Sequence, residues 1–336
     1  MTTGPCRRVS LVGAVISLCC SAVLLSSCSS GPAAATPTAY IATGAGVANP
    51  GQTVAVVDTV TSTVQPPITT GTLPAALAVT PDGKDVLVAN KGVDTVSEID
   101  VASGEVIRHA DVGLEPDAAA VAPNGRLALV ANFGDDTVTP LSLPALRPGR
   151  PIAVGRQPVA IAISPKGTVA LVSNYEDGSV TPVALPSLLA GPPVAAGAEP
   201  TAVSITPDGS TALVADFQTS SVTPIRLATM APGAVIPVGG NPTGIATLPT
   251  STSAYVSGGD TVTPIDLRTQ RAGPPIAVGA LAEGVALVPR GDTAWVSGLD
   301  GTLIHVDLHR GTVIGRVTVG GRPSAVVIGG VRNATG

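Results

Sequence analysis

The sequence predicts an all-β chain: a seven-bladed β-propeller of four-stranded antiparallel blades, closed by pairing of its N- and C-terminal strands. Three observations carry this expectation. A unit of about 42 residues recurs along the chain, its composition is that of short strands joined by tight turns, and each end of the repeat region holds the part of a unit that the other end lacks. Repeats at this period stack or circle as solenoids, propellers or arrays, and four short strands in 40–45 residues make one propeller blade.

The recurrence is plainest from Val112 to Pro224. VGLEPDAAAVAPNGRLALVANFGDDTVTP, with Pro116, is followed by VGRQPVAIAISPKGTVALVSNYEDGSVTP, with Pro158, and AGAEPTAVSITPDGSTALVADFQTSSVTP, with Pro200. The anchor positions are Pro74, Pro116, Pro158, Pro200, Pro242, Ala282 and Pro323, at spacings of 42, 42, 42, 42, 40 and 41. Hydrophobic residues make up 44% of the chain but aromatics only 2%, while 39 Gly and 32 Pro supply turns rather than core.

Each unit has four pieces. The first is a run of small apolar residues after the anchor, such as AALAV at 75–79, closed by Pro-Asp-Gly or Pro-Asn-Gly, where Pro sets φ and Gly accepts a positive one. The second is a β-rich run, as at 86–89 or 254–257. The third reads Thr-Val-x-x-Ile/Leu, as at 95–99. The fourth ends in Val-Gly, as at 151–155. Pro140, Pro182, Pro224 and Pro264 fall inside the third run of four blades. Proline cannot donate to a ladder, so either the fourth strand of those blades pairs only in part or the third bulges there.

The chain ends complete the count. After Pro323 only SAVVI (324–328) remains, one first-type strand. Before Pro74 lie three strands without a first, at 39–42, 53–57 and about 64–70. Joined, they form a seventh blade and leave no open edge in the ring.

The runs AYIA at 39–42, LVAN at 87–90, AYVS at 254–257 and TVSEID at 95–100 resemble the YVTN β-propeller repeat family. The resemblance spans about residues 39–330. It implies an exported seven-bladed propeller that binds a ligand or a surface, without an established chemistry.

The first 38 residues read as an address. Arg7 and Arg8 precede an apolar run from Leu11 to Leu25, the pattern of a secretory signal and short for a membrane span. The run ends in Leu-Ser-Ser-Cys28, which resembles a bacterial lipobox and implies diacylation of Cys28. The expected organisation is a signal peptide over 1–27, lipidated Cys28 and a Ser/Pro/Ala tether over 28–38, the propeller over 39–330 and a tail over 331–336. The protein would then be exported and anchored by lipid to the outer face of the cell membrane. All four cysteines lie within the first 28 residues, which excludes a disulfide framework or a cysteine zinc site beyond them. Without Arg7 and Arg8, 16 basic residues face 23 acidic ones, a net −7. Such a balance disfavours nucleic acid as a partner.

Antiparallel connectivity places the blade-start prolines and the turns after the second strands on one face, around the mouth of the central channel. Phe133, Tyr175 and Phe217 share one repeat position there. They form a candidate aromatic arc for a sugar, a flat ring or a partner's apolar side chain, or else pack their loops against the next blade. Tyr40, Tyr255 and Trp295 share a second-strand position. Asp135, Asp136, Glu176, Asp177, Glu115, Asp117 and Glu199 make an acidic rim, interrupted by Arg156 and Arg322. Oxygen ligands from several loops can hold calcium, but a solvated rim accounts for the same residues. The innermost strands carry no acid–base pair below the mouth, and no metal or cofactor motif is present. His109, His305 and His309 are too few for a metal centre, and Asp58, Asp100, Asp266 and Asp307 suit Asx turns. The sequence therefore reads as a non-catalytic binding module for an envelope polymer, a small molecule or an exported protein. The alternative is a lactonase-type hydrolase using Glu115, Glu199 and Glu283.

Overall fold

The computed structural model describes residues 37–44, 51–288 and 291–331, all within the compact unit Ala35–Gly336. The expected leader, Cys28, the tether up to residue 36 and residues 332–336 lie outside the described residues. The first strand starts at Pro37, within the expected tether, and the last runs through Val331.

Seven antiparallel sheets surround a common axis. The first blade has strands Pro74–Val79, Asp85–Asn90, Thr95–Asp100 and Glu105–Asp111 from inside to outside. The next five start with innermost strands Pro116–Val121, Pro158–Ile163, Pro200–Ile205, Pro242–Thr247 and Ala282–Leu287. The seventh is composite. Arg322–Val331 pairs with Pro37–Gly44, which continues outward to Thr53–Asp58 and Thr63–Thr69. Tyr40 lies opposite Val327 and Ile41 opposite Val326. Each innermost strand touches those of its two neighbours, and Arg322–Val331 touches Pro74–Val79, so the ring is shut.

Two-sided burial explains the strand sequences. In Asp85–Asn90, Val86 and Val88 pack toward the seventh blade, while Leu87 packs toward the second. Leu129, Leu171 and Leu213 repeat the position of Leu87, all essentially without exposure. Among the described residues the core thus consists of seven clusters, each shared by two adjacent blades. Burying one such leucine contributes about 1.5–3 kcal/mol. Because both faces are covered, small and β-branched residues fill the wedge, and Trp295 and Tyr40 are fully buried.

The third-strand prolines act as expected on the outer strand. In blades two to five that strand is broken into two-residue pieces, such as Arg147–Pro148 and Ile152–Ala153. In the blades without the proline it runs unbroken, as in Glu105–Asp111 and Thr312–Thr318. The third strand carries no bulge against the second, and Pro140 stays in register opposite Leu129. Its carbonyl accepts the Gly149 N–H at 2.7 Å, and Pro182, Pro224 and Pro264 do the same for Gly191, Gly233 and Gly273.

Candidate functional site at the channel mouth

The first link from sequence to site is a β-bulge at the start of every innermost strand. Pro116 pairs with Asn132 and Ala118 with Ala131, which leaves Asp117 as the extra residue. Corresponding shifts leave Ala75, Val159, Thr201, Thr243 and Ser324 extra, with Glu283 and Gly284 facing a single partner in the sixth blade. A bulge re-aims side chains. Here it turns these residues into the axial channel, whose lining includes Asp117, Thr201, Thr243, Glu283 and Ser324. The channel holds about 620 Å³, within the range of small-molecule sites.

Asp117, expected in the acidic rim, and Glu283, expected as a hydrolase candidate, both line the channel. The bulge shifts the strand's alternation by one residue at both positions. Burial raises both carboxyls above their usual range. For Asp117 this is opposed by Lys91, whose Nζ lies 3.0 Å away. The same ammonium sits 4.3 Å from the centre of the Phe133 ring.

Phe133 and Tyr175 line the channel, whereas Phe217 is half-buried and not among the lining residues. The Tyr175 hydroxyl donates to Glu199 Oε2 at 2.9 Å, across the junction to the next blade. Burial and this bond raise the tyrosine's pKa. The aromatic residues are also pinned through their backbones. The N–H groups of Phe133, Tyr175 and Phe217 donate to the carbonyls of Glu115, Gln157 and Glu199. Those three accepting residues precede the blade-start prolines with φ of 50°, 53° and 55°.

The acidic rim is largely committed to holding loops. Asp135 accepts the Leu114 N–H at 2.8 Å and Asp177 the Arg156 N–H at 2.7 Å. Asp136 accepts the Gln157 N–H from the following blade at 2.8 Å. Arg156 also pairs with Asp177 at 2.7 Å and Glu176 at 3.0 Å, and its contacts hold the Asp177 carboxyl below the usual range. Glu115 is exposed and Arg322 is exposed at the start of the seventh blade. Of Glu115, Glu199 and Glu283, only Glu283 lines the channel. Among the described residues no three His, Cys, Asp or Glu side chains are grouped to hold a metal ion.

The remaining polar candidates serve the fold. His109 bonds Ser97, His305 stacks on Trp295 at 4.1 Å, and exposed His309 lies 3.5 Å from Asp292. Asp58, Asp100, Asp266 and Asp307 each accept backbone N–H groups two or three residues on, as Asx turns require. Sequence reasoning did not single out Glu98, a third-strand carboxylate with 1% side-chain exposure that takes Arg108 Nε at 2.6 Å.

Residues 8–132 match the YNCE-like beta-propeller family. The whole described region closes into seven four-stranded blades. The chain is a seven-bladed β-propeller repeat protein. Solved structures share the architecture at low identity. A Kuenenia stuttgartiensis hydrazine synthase structure superposes with a TM-score of 0.70 at 19% identity, over 78% of this chain and 96% of that one. A functionally unknown protein from Desulfotomaculum acetoxidans DSM 771 gives 0.77 at 17% identity, over 87% and 98%. No curated protein matches the propeller. At these identities the structural likeness speaks for the fold, and function rests on the site itself.

Proposed function

We propose that this propeller is an exported, lipid-anchored binding module that takes a small ligand, or one group of a larger one, at the channel mouth without transforming it. The observation that carries the reading is the open channel of about 620 Å³ with Phe133 and Tyr175 beside it. An apolar wall with a few convergent polar groups is the usual composition of a ligand site. The rim carboxylates are occupied by backbone N–H groups and Arg156, so the ligand's contacts fall to the aromatic faces and the channel. Anchoring follows from the Leu-Ser-Ser-Cys28 pattern after an apolar leader.

The test is native mass spectrometry of the full chain extracted from its own membrane. A bound species present in the wild type and absent from the Phe133→Ala/Tyr175→Ala variant is the expected result. A species retained by that variant removes the mouth from consideration. For the anchor, Cys28→Ala is expected to move the protein from the detergent phase to the aqueous phase on cloud-point separation.

A further inference from the structure

One blade junction at the channel mouth holds an ammonium group of the chain's own. At the junction of the first and second blades, Lys91 follows the second strand of one blade and reaches Asp117 on the bulge of the next. Its ammonium is held by the carboxylate at 3.0 Å and by the Phe133 face at 4.3 Å. The junction of the fifth and sixth blades keeps the carboxylate of this plan but lacks both the lysine and the aromatic ring, since Leu299 stands at the repeat position of Phe133. Glu283 occupies the bulge as Asp117 does, but the residue at the place of Lys91 is Gly259. No side chain there brings an ammonium to the carboxylate.

Glu283 is accordingly without a partner. Its carboxylate makes no hydrogen bond or ion pair among the described residues. Arg322 is the one opposing charge it feels, and it lies beyond ion-pair distance. The backbone beneath is nevertheless fixed, since the Thr243 and Ser257 hydroxyls both donate to the Glu283 carbonyl at 2.8 Å. A carboxylate on a pinned backbone needs little ordering when a ligand arrives.

The rest of the collar has the same polarity. The Thr201 hydroxyl donates to the Pro242 carbonyl at 2.7 Å, and the Ser324 hydroxyl to the Ala75 carbonyl at 3.1 Å. A hydroxyl has one proton and two lone pairs. With their protons spent across blade junctions, Thr201, Thr243 and Ser324 have only lone pairs left to offer. Beneath them the wall is apolar, with Leu77, Ile161, Val203, Ile245 and Val285 among its residues. An acceptor-only collar over an apolar wall complements a donor-rich head on an apolar body.

We propose that Glu283, in the place left open by Gly259, binds the primary ammonium group of a small amine whose apolar body lies along the channel. This rests on the channel being a binding site and names the ligand class.

The experiment is a calorimetric or NMR titration of the full chain at pH 8 with n-butylamine, and with n-butanol and butyrate as isosteric controls. Saturable binding of the amine at one site per chain is expected, with the alcohol and the acid at least tenfold weaker. Glu283→Gln is expected to weaken the amine at least tenfold, with an unchanged melting temperature showing that the fold persists. Lys91→Ala is expected to add a second amine site at Asp117, raising the stoichiometry from one to two. Amine binding no better than alcohol binding, or indifferent to Glu283→Gln, overturns the assignment. A native ligand lost in the Phe133→Ala/Tyr175→Ala variant but not displaced by n-butylamine overturns it too, and leaves the mouth itself standing as a site.

Discussion

The Thr223 hydroxyl donates to Asp216 Oδ2 at 2.6 Å, and Oδ1 of the same buried carboxyl has no partner. At this repeat position the first three blades carry Asn90, Asn132 and Asn174, whose amides each donate to two hydroxyls. A protonated Asp216 can imitate that donor, but a carboxylate cannot.

Burial pushes Asp216 up to about 7 from an ordinary value of 3.8. Between those values the native state holds a proton that the unfolded chain has released. Native stability therefore falls as pH rises from about 4 to about 7, and stays reduced above that. The full difference corresponds to a ceiling of about 4 kcal/mol. Asp216→Asn is expected to be more stable than wild type at pH 8, by about 1–3 kcal/mol, and to lose most of that advantage at pH 5. Denaturant melts at the two pH values check this, and a variant less stable at pH 8 contradicts it. Carboxyls whose pKa values are lowered, such as Asp82 and Asp100, titrate below this window.

Ring closure makes a second prediction. Arg322–Val331 is the innermost strand of a blade whose other three strands precede residue 70. Ending the chain after Gly321 exposes the inner edge of Pro37–Gly44 and uncovers Tyr40 and Ile41, which are fully buried. The truncated chain is expected to melt at least about 10 °C lower, or to aggregate, because several kilocalories of apolar burial are lost. An unchanged melting temperature contradicts the closure.

The repeat period and the complementary chain ends made the architecture legible. Each blade restates the same alternation of buried residues, and errors at one copy are corrected by the others. The site was legible only in part. Phe133 and Tyr175 stood out as aromatics at a shared position, whereas Asp117 was read as rim and Glu283 only as a hydrolase candidate. Both lie at a β-bulge, which displaces the strand's alternation by one residue and has no signature in the repeat pattern. Lys91 carried no signal at all, because its role comes from meeting Asp117 of the next blade, 26 residues on.

Glu98 and Arg108 give a third prediction. The carboxylate is buried and its cation is 45% exposed. Removing the cation leaves an unpaired charge in the sheet, which costs 3–5 kcal/mol for fully buried pairs and less where one partner meets solvent. Arg108→Ala is expected to destabilise by about 1–3 kcal/mol, and Glu98→Gln in that background to recover part of the loss. Double-mutant denaturation measures the coupling, and strictly additive losses contradict the pairing.

The fourth prediction concerns the broken outer strands. In an antiparallel strand the N–H and C=O of one residue point to the same side. The Pro140 carbonyl faces the outer strand, accepting from Gly149, so the ring nitrogen faces outward as well. The proline therefore removes a donor only from the outer strand and leaves pairing with the second strand intact. A Cβ at Gly149 would lie 3.1 Å from Pro140 Cγ, so the proline ring would have to give by a few tenths of an ångström, whereas at Gly315, in an unbroken outer strand, the nearest atom would be 3.5 Å away. Gly149→Ala is expected to destabilise by about 1 kcal/mol. Gly315→Ala is expected to be neutral or to stabilise by up to about 1 kcal/mol, through the reduced freedom of the unfolded chain. Pro140→Thr should relieve the crowding and restore a donor, so that Gly149→Ala costs measurably less in its presence. Equal costs of Gly149→Ala in the two backgrounds would show that the proline ring is not what demands the glycine.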